Sequence, residues 1–264
     1  LNRIKETINT MAITLTKEEL LAYLKKSSLN TVLVEGKDDA SIYRWIENEL
    51  SSDCSFDLLP CDGRDTLLDI FEKRNQISEI KLLFVADKDK YVYTETPEIY
   101  NDIIWTTGYS IENDLYFGGY LEQLLTEPEK TKFNKGLTNF IQYYSHDVEK
   151  VKRGVETELS YHPNQILDGA FELRKVNESG FDVTETINYL NNSYQLSIRG
   201  KSLFGILFLI LCDRNRAIKH KKTSLMEVCL KCNKDNLVTE IIKKIKSELQ
   251  PLTTKASWRT ECKP

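Results

Sequence analysis

The sequence predicts an α/β protein in which a parallel-sheet domain is followed by a mostly α-helical domain. Three observations predict it. Short apolar, β-branched runs alternate with helical patterns over the first half; no comparable strand run appears after Thr126; and the sign of the charge changes at about the same place. With 264 residues, 41% of them hydrophobic and 29% charged, the chain can bury a substantial core, which excludes a disordered or fibrous protein. The expected organisation is an N-terminal helical segment over 1–30, a sheet domain over 31–126 and a basic helical domain over 127–264.

Thr16 and Glu19 have capping-box spacing, and Leu20, Leu21 and Leu24 follow at helical intervals, so a short helix precedes Ser27. The run over 31–34 is apolar on both faces, as a strand buried on both sides must be. Glu35-Gly36-Lys37 interrupts it, and Asp38 can cap a helix carrying Ile42, Trp45, Ile46 and Leu50. A second strand over 56–59, a helix over 63–74, a third strand over 80–86 and a fourth over 103–105 complete the pattern, with spacing that suits right-handed parallel crossovers. Glu127 to Thr131 reads as a connector. Helices are then expected over 133–152, 164–175, 183–192, 201–214, 224–232 and 237–249.

The longest apolar run, over 203–212, is ten residues against the roughly 20 of a membrane helix, so no membrane partner is expected. The six scattered cysteines and the lack of a signal-like start point to a cytoplasmic protein with reduced thiols, and Met11 is a candidate initiator.

The net charge of −4 conceals a division: residues 1–130 carry 14 basic and 25 acidic side chains, whereas 131–264 carry 22 basic and 15 acidic. The densest basic stretch holds Arg199, Lys201, Arg214, Arg216, Lys219, Lys221 and Lys222 against the single acid Asp213. With Lys37 these are the candidate nucleic-acid contacts, since clustered cations attract a phosphate backbone; a solvated helix face is the plainer explanation. The acidic half needs another account, because carboxylates repel phosphate unless a metal lies between them.

Glu35 closes the first strand and Asp87-Lys88-Asp89 follows the third, so all three acids fall at the carboxyl edge of a parallel sheet, where ligands of open α/β folds bind. Asp87 and Asp89 could offer hard oxygen ligands to a magnesium or manganese ion, with Glu35 moving a proton. Gly36 is expected to let the chain turn sharply there. The plainer explanation, that these acids cap loops and helices, accounts for Asp38 well and for Glu35 poorly.

Val32-Leu33-Val34-Glu35-Gly36-Lys37-Asp38-Asp39 followed by Leu83-Phe84-Val85-Ala86-Asp87-Lys88-Asp89 resembles the Toprim domain of topoisomerases, primases, overcoming-lysogenisation-defect (OLD) nucleases and ribonuclease M5. More loosely, Cys61-Asp62-Gly63-Arg64-Asp65, Gly108-Tyr109-Ser110-Ile111-Glu112-Asn113 and Arg199-Gly200-Lys201-Ser202-Leu203 resemble elements of the Toprim effector of PARIS anti-phage defence, the AriB family. The resemblance implies a Toprim-like sheet domain and a magnesium-dependent nuclease. It implies catalysis by Glu35, Asp87 and Asp89, metal ligation by Asp87, Asp89 and Glu112, and a phosphate contact from Lys201. It further implies an ABC-type ATPase partner (AriA-like), a homodimer as the active form, and transfer RNA in preference to DNA as substrate. Lys88 and Lys90 depart from what many Toprim proteins carry at those positions. The alternatives are an OLD-type DNase and a non-catalytic subunit of an ATPase complex.

Weaker candidates remain. Cys229-Leu230-Lys231-Cys232 has no second pair or histidine at zinc spacing, and a helical core face explains it more simply. Tyr143, Tyr144, Tyr161, Tyr189 and Tyr194 could stack on unpaired bases, although burial between helices is the usual fate of such residues.

Overall fold

The structure is a computed structural model; it describes residues 15–36, 40–77, 79–167, 171, 173, 179–232 and 237–249. Among them four parallel strands, β1 (Asn30–Val34), β2 (Phe56–Pro60), β3 (Leu82–Ala86) and β4 (Ile104–Trp105), form one sheet in the order β2-β1-β3-β4. Helix α1 (Lys17–Leu24) precedes β1, α2 (Ala40–Leu50) joins β1 to β2, and α3 (Arg64–Glu72) joins β2 to β3. After β4 come α4 (Ile111–Gly118), α5 (Glu127–Lys152), α6 (Pro163–Ile166), α7 (Thr184–Ser197), α8 (Gly200–Leu211), α9 (Lys222–Cys232) and α10 (Val238–Leu249).

The strands are mostly apolar because both sheet faces are covered, with Thr31 and Asp57 as buried polar exceptions. Leu33, Phe84 and Ala86 point to one side, where they meet Leu20 and Leu24 of α1 and Leu67, Ile70 and Phe71 of α3. Val32, Val34, Leu83 and Val85 point to the other, the period of two sending alternate residues to opposite layers. That second layer is α2 together with α4, α9 and α10, so its apolar core continues without a break from Val32 through Phe140 and Phe204 to Ile245. The segments on either side of Thr126 therefore share one core. Helix α4 lies between them, and Ile111 through Tyr116 are all buried, polar residues included.

Several boundaries differ from the sequence expectation. Glu127 to Thr131 is the first turn of α5, not a connector: Thr126 and Glu129 form a capping box, and Pro128 is harmless where no intrahelical N–H is needed. The helix expected over 164–175 ends at Ile166, and an antiparallel bridge pairs Leu167 with Leu173; the rest of that span, apart from Phe171, lies outside the described residues. Helix α7 runs on to Ser197 through a kink at Ser193, and α8 stops at Leu211, three residues early. Asp38 lies outside the described residues.

No single helix among the described residues is long and apolar enough to cross a membrane. Helices α7 and α8 pass that test only as a pair bent by 87°, and most of the apolar side chains of α8 are core.

Candidate active site

Parallel pairing sets Val34 beside Val85, so the residues that follow, Glu35 on one strand and Asp87 on its neighbour, emerge at the same edge of the sheet. The chain leaving β2 is drawn to that edge too. Cys61 N–H donates to the Val34 carbonyl (2.8 Å) and Gly63 N–H to the Glu35 carbonyl (2.7 Å). The turn needs positive φ at Asp62 (58°) and Gly63 (115°), the latter a value that favours glycine, and it starts α3 with Arg64 beside Glu35. Gly36 itself needs no such conformation, and among the described residues a Cβ there would meet open space.

Arg64 occupies the middle of the edge. Its Nη1 donates to Asp89 Oδ2 (2.5 Å), its Nη2 donates to the Asp87 carbonyl (3.2 Å), and its Nε stands 4.0 Å from Glu35 Oε1, an atom removed from solvent. The guanidinium also lies over the rings of Tyr91 and Trp105, 4.9 and 5.3 Å from their centroids.

The Asp87-Lys88-Asp89 turn is held from several sides. Asp87 Oδ1 accepts the Ile111 N–H (2.9 Å) at the positive end of α4. Lys88 N–H donates to Thr106 Oγ1 (2.9 Å), and Asp89 N–H donates to the Tyr109 carbonyl (2.7 Å), with Asp89 at φ 48°. Glu112, only 1% exposed, accepts the Ser110 hydroxyl at Oε2 (2.7 Å). Burial pushes the Asp89 carboxyl above its ordinary value; Arg64 and Arg199 pull it down, and Glu112 pushes it up. Burial, with a smaller push from Glu35, raises the Cys61 thiol to about 12, so it stays protonated and takes no part as a nucleophile at neutral pH.

The second half of the chain completes the edge through Asn113. Its Nδ2 donates to the carbonyls of Gln195 (2.7 Å) and Ile198 (2.8 Å), and its Oδ1 accepts Ser110 N–H (3.0 Å). Gly200 then packs onto Ser110, Glu112 and Asn113. Arg199, whose N–H donates to the buried Tyr144 hydroxyl (3.3 Å), is thereby brought within electrostatic reach of Asp89.

Glu35, Asp87, Asp89 and Glu112 thus lie toward one edge, with Arg199 within electrostatic reach of Asp89 and the exposed Lys201 at the first turn of α8. The remaining basic residues are not. Arg214, Arg216, Lys219 and Lys221 follow the other end of α8, about 16 Å along its axis. Arg216 is occupied internally: it donates to Glu129 (2.9 Å) and to the carbonyls of Ile218 (2.8 Å) and Leu124 (2.6 Å). Lys37 and the side chain of Lys222 lie outside the described residues. Sequence reasoning gave no role to Arg64, although it lies in the Cys61-Asp62-Gly63-Arg64-Asp65 segment quoted for the family resemblance.

The weaker candidates take structural positions. Cys229 packs against Gly119, and the side chain of Cys232 lies outside the described residues. Tyr144 is fully buried and Tyr194 donates to Glu122 (2.7 Å), while Tyr189 is 39% exposed. Among the described residues no three His, Cys, Asp or Glu side chains are grouped as a metal centre. The donor chemistry of the edge nevertheless suits a hard cation, since Asp87, Asp89 and Glu112 offer only carboxylate oxygens.

The fold and its acidic edge define an α/β protein with a parallel sheet, order β2-β1-β3-β4, followed by helices. No family model matches the chain, and no curated protein matches it in sequence.

Proposed function

We propose that the chain is a metal-dependent Toprim nuclease of the AriB-like kind. The observation that supports this reading is that Glu35, Asp87 and Asp89 follow neighbouring parallel strands at one carboxyl edge, with the start of the helix carrying Glu112 donating to Asp87 and Arg199 within electrostatic reach of Asp89.

Asp87 and Asp89, with Glu112, would hold the magnesium or manganese ion. Such an ion supplies stabilisation of the negative charge that develops on a phosphodiester under attack. Glu35 takes a proton from the attacking oxygen or returns one to the leaving oxygen, with the Arg64 guanidinium Nε 4.0 Å from its Oε1. Arg199 offsets the phosphate charge opposite the carboxylates, and the exposed Lys201, Arg214, Lys219 and Lys221 extend the contact along the nucleic acid. Transfer RNA as substrate, an ABC-type ATPase as partner and a homodimeric active form belong to this reading through the family resemblance.

The test is incubation of the purified chain with transfer RNA or plasmid DNA in magnesium, comparing wild type with Glu35→Ala and sequencing the RNA ends. Cleavage of transfer RNA that Glu35→Ala abolishes is the expected result. Nicked DNA beside intact RNA would move the assignment to the OLD-type DNase. Equal activity in both proteins would end it. The engagement of Asp89 by Arg64 favours a second reading, a non-catalytic subunit of an ATPase complex, which predicts no magnesium-dependent cleavage at all.

A further inference from the structure

We infer that the buried hydroxyl of Tyr144 is the post that fixes Arg199 in place to meet a substrate phosphate, which makes Tyr144 a positioning residue; the inference rests on the nuclease reading above. Arg199 stands at the bend between α7 and α8, which turn by 87°. Its backbone is extended there (φ −46°, ψ 124°), so it belongs to the regular run of neither helix. An arginine on a loose joint would have many places to put its charge.

The joint is not loose. A helix end leaves its last carbonyls without intrahelical donors, and those from Gln195 to Ile198 all receive one from the sheet-forming half. Asn113 Nδ2 donates to Gln195 and Ile198, Tyr109 N–H donates to Leu196 (2.7 Å), and the Tyr93 hydroxyl donates to Ser197. One further turn of α7 would have sent the Arg199 N–H to the Gln195 carbonyl. That N–H instead donates to the Tyr144 hydroxyl (3.3 Å).

Tyr144 suits the task because it cannot move. It is fully buried on α5 and stacked on Phe140, with 5.3 Å between ring centroids. The Tyr93 hydroxyl stands 3.2 Å from that of Tyr144, and Tyr93 follows Asp89 by four residues. Tyr189 adds a second tie, donating to the Val92 carbonyl (3.3 Å) and accepting the Ser197 hydroxyl (2.9 Å). Paired hydroxyls thus anchor the chain beyond Asp89 and the backbone of Arg199 to one point. Burial pushes Asp89, Tyr109 and Tyr144 above their ordinary values, and the Arg199 charge is among those that pull each back, so the guanidinium is within reach of all three.

Phenylalanine at 144 would keep the ring and remove the acceptor. A buried N–H without a partner is costly, so the backbone at 199 shifts toward another acceptor and carries the guanidinium with it. Displacements of about 1 Å are enough to slow a reaction that depends on orientation.

The experiment compares the full chain as wild type, Tyr144→Phe, Arg199→Ala, the double variant and Tyr23→Phe, by magnesium-dependent cleavage of labelled transfer RNA and by amide hydrogen exchange at residue 199. Tyr144→Phe is expected to lower kcat about tenfold, the worth of one hydrogen bond, with KM within about twofold of wild type. The double variant should be no slower than Arg199→Ala, because the post acts only through Arg199. The Arg199 amide should exchange about tenfold faster in Tyr144→Phe. Tyr23→Phe, which loses a comparable bond to Asp57 (2.8 Å) on the other face of the sheet, should keep kcat within about twofold. Additive losses in the double variant, an equal loss in Tyr23→Phe, or unchanged kcat or amide protection in Tyr144→Phe would each overturn the inference and leave the nuclease reading standing. A wild type that cuts neither RNA nor DNA removes that reading and the inference with it. Should Tyr144→Phe not fold, Tyr93→Phe replaces it: a lower kcat is expected, and an unchanged one overturns the inference.

Discussion

The α-carbon of Gly200 rests against the hydroxyl of Ser110 so closely that a Cβ at 200 would stand 2.5 Å from Ser110 Oγ. It would also meet Glu112 Cβ at 2.8 Å and Asn113 Oδ1 at 2.9 Å. This contact is where the start of α8 is fitted onto the acidic edge, and it leaves no room for a methyl group. Gly200→Ala is expected to destabilise the chain by about 1–3 kcal/mol, the usual cost of overpacking, measured by urea unfolding. Because Arg199 is displaced with it, cleavage should fall more steeply than stability; an unaltered unfolding midpoint would contradict the close fit.

Asp87→Asn separates structure from chemistry. The amide keeps an oxygen to accept the Ile111 N–H, so the unfolding free energy should change by no more than about 1 kcal/mol. It loses the charge that an ion requires, so cleavage should drop by at least about a hundredfold, and the rise in melting temperature on adding magnesium should disappear. A variant that keeps both would show Asp87 to be a helix-capping residue and nothing more.

The two ends of α8 are expected to behave differently. Arg199→Ala should lower the rate of cleavage at saturating substrate, because Arg199 lies within electrostatic reach of Asp89. Neutralising Arg214, Lys219 and Lys221 together should instead weaken binding and flatten its salt dependence, each lost phosphate contact reducing the logarithmic slope by about 0.7 to 0.9. Binding of labelled nucleic acid across a salt series distinguishes the two.

Glu129 links α5 to the loop after α8 and gives a pH signature. Its carboxyl receives Thr126 N–H (2.8 Å) and pairs with Arg216 (2.9 Å); those contacts, the Thr126 bond foremost, hold it below its ordinary value of 4.5. A depressed carboxyl contributes stability that is complete above the unfolded value and fades as pH falls through the lower folded one. Glu129→Gln should therefore cost about 1 kcal/mol at pH 7, and the gap from wild type should close below pH 4.5. A gap independent of pH would rule out a role for the charge.

Much of the sheet was legible because β1 and β3 are apolar runs with acids placed just beyond the end; Val34-Glu35 and Ala86-Asp87 display both facts in adjacent letters. Thr126 was less legible, since Pro128 suggested a break where the Thr126–Glu129 pair in fact begins a helix of 26 residues. The basic stretch looked like one cluster because a sequence does not display the rise of α8, which separates Arg199 from Arg214 along its axis. Arg64 stood in one of the segments that carried the family resemblance, yet no role could be read for it there. Its role depends on two loops from different strands meeting, and nothing in the letters around it records that Asp89 will be its neighbour.

Helix α10 lies against α2, α4 and β4, with Lys246 paired to Asp53 (2.5 Å) and Lys81 to Glu248 (2.7 Å). During synthesis the sheet emerges from the ribosome long before the helix that covers it. Until residue 249 is free, the layer of helices on that face of the sheet lacks one of its members, and β4, α2 and α4 are without the partner that comes last along the chain.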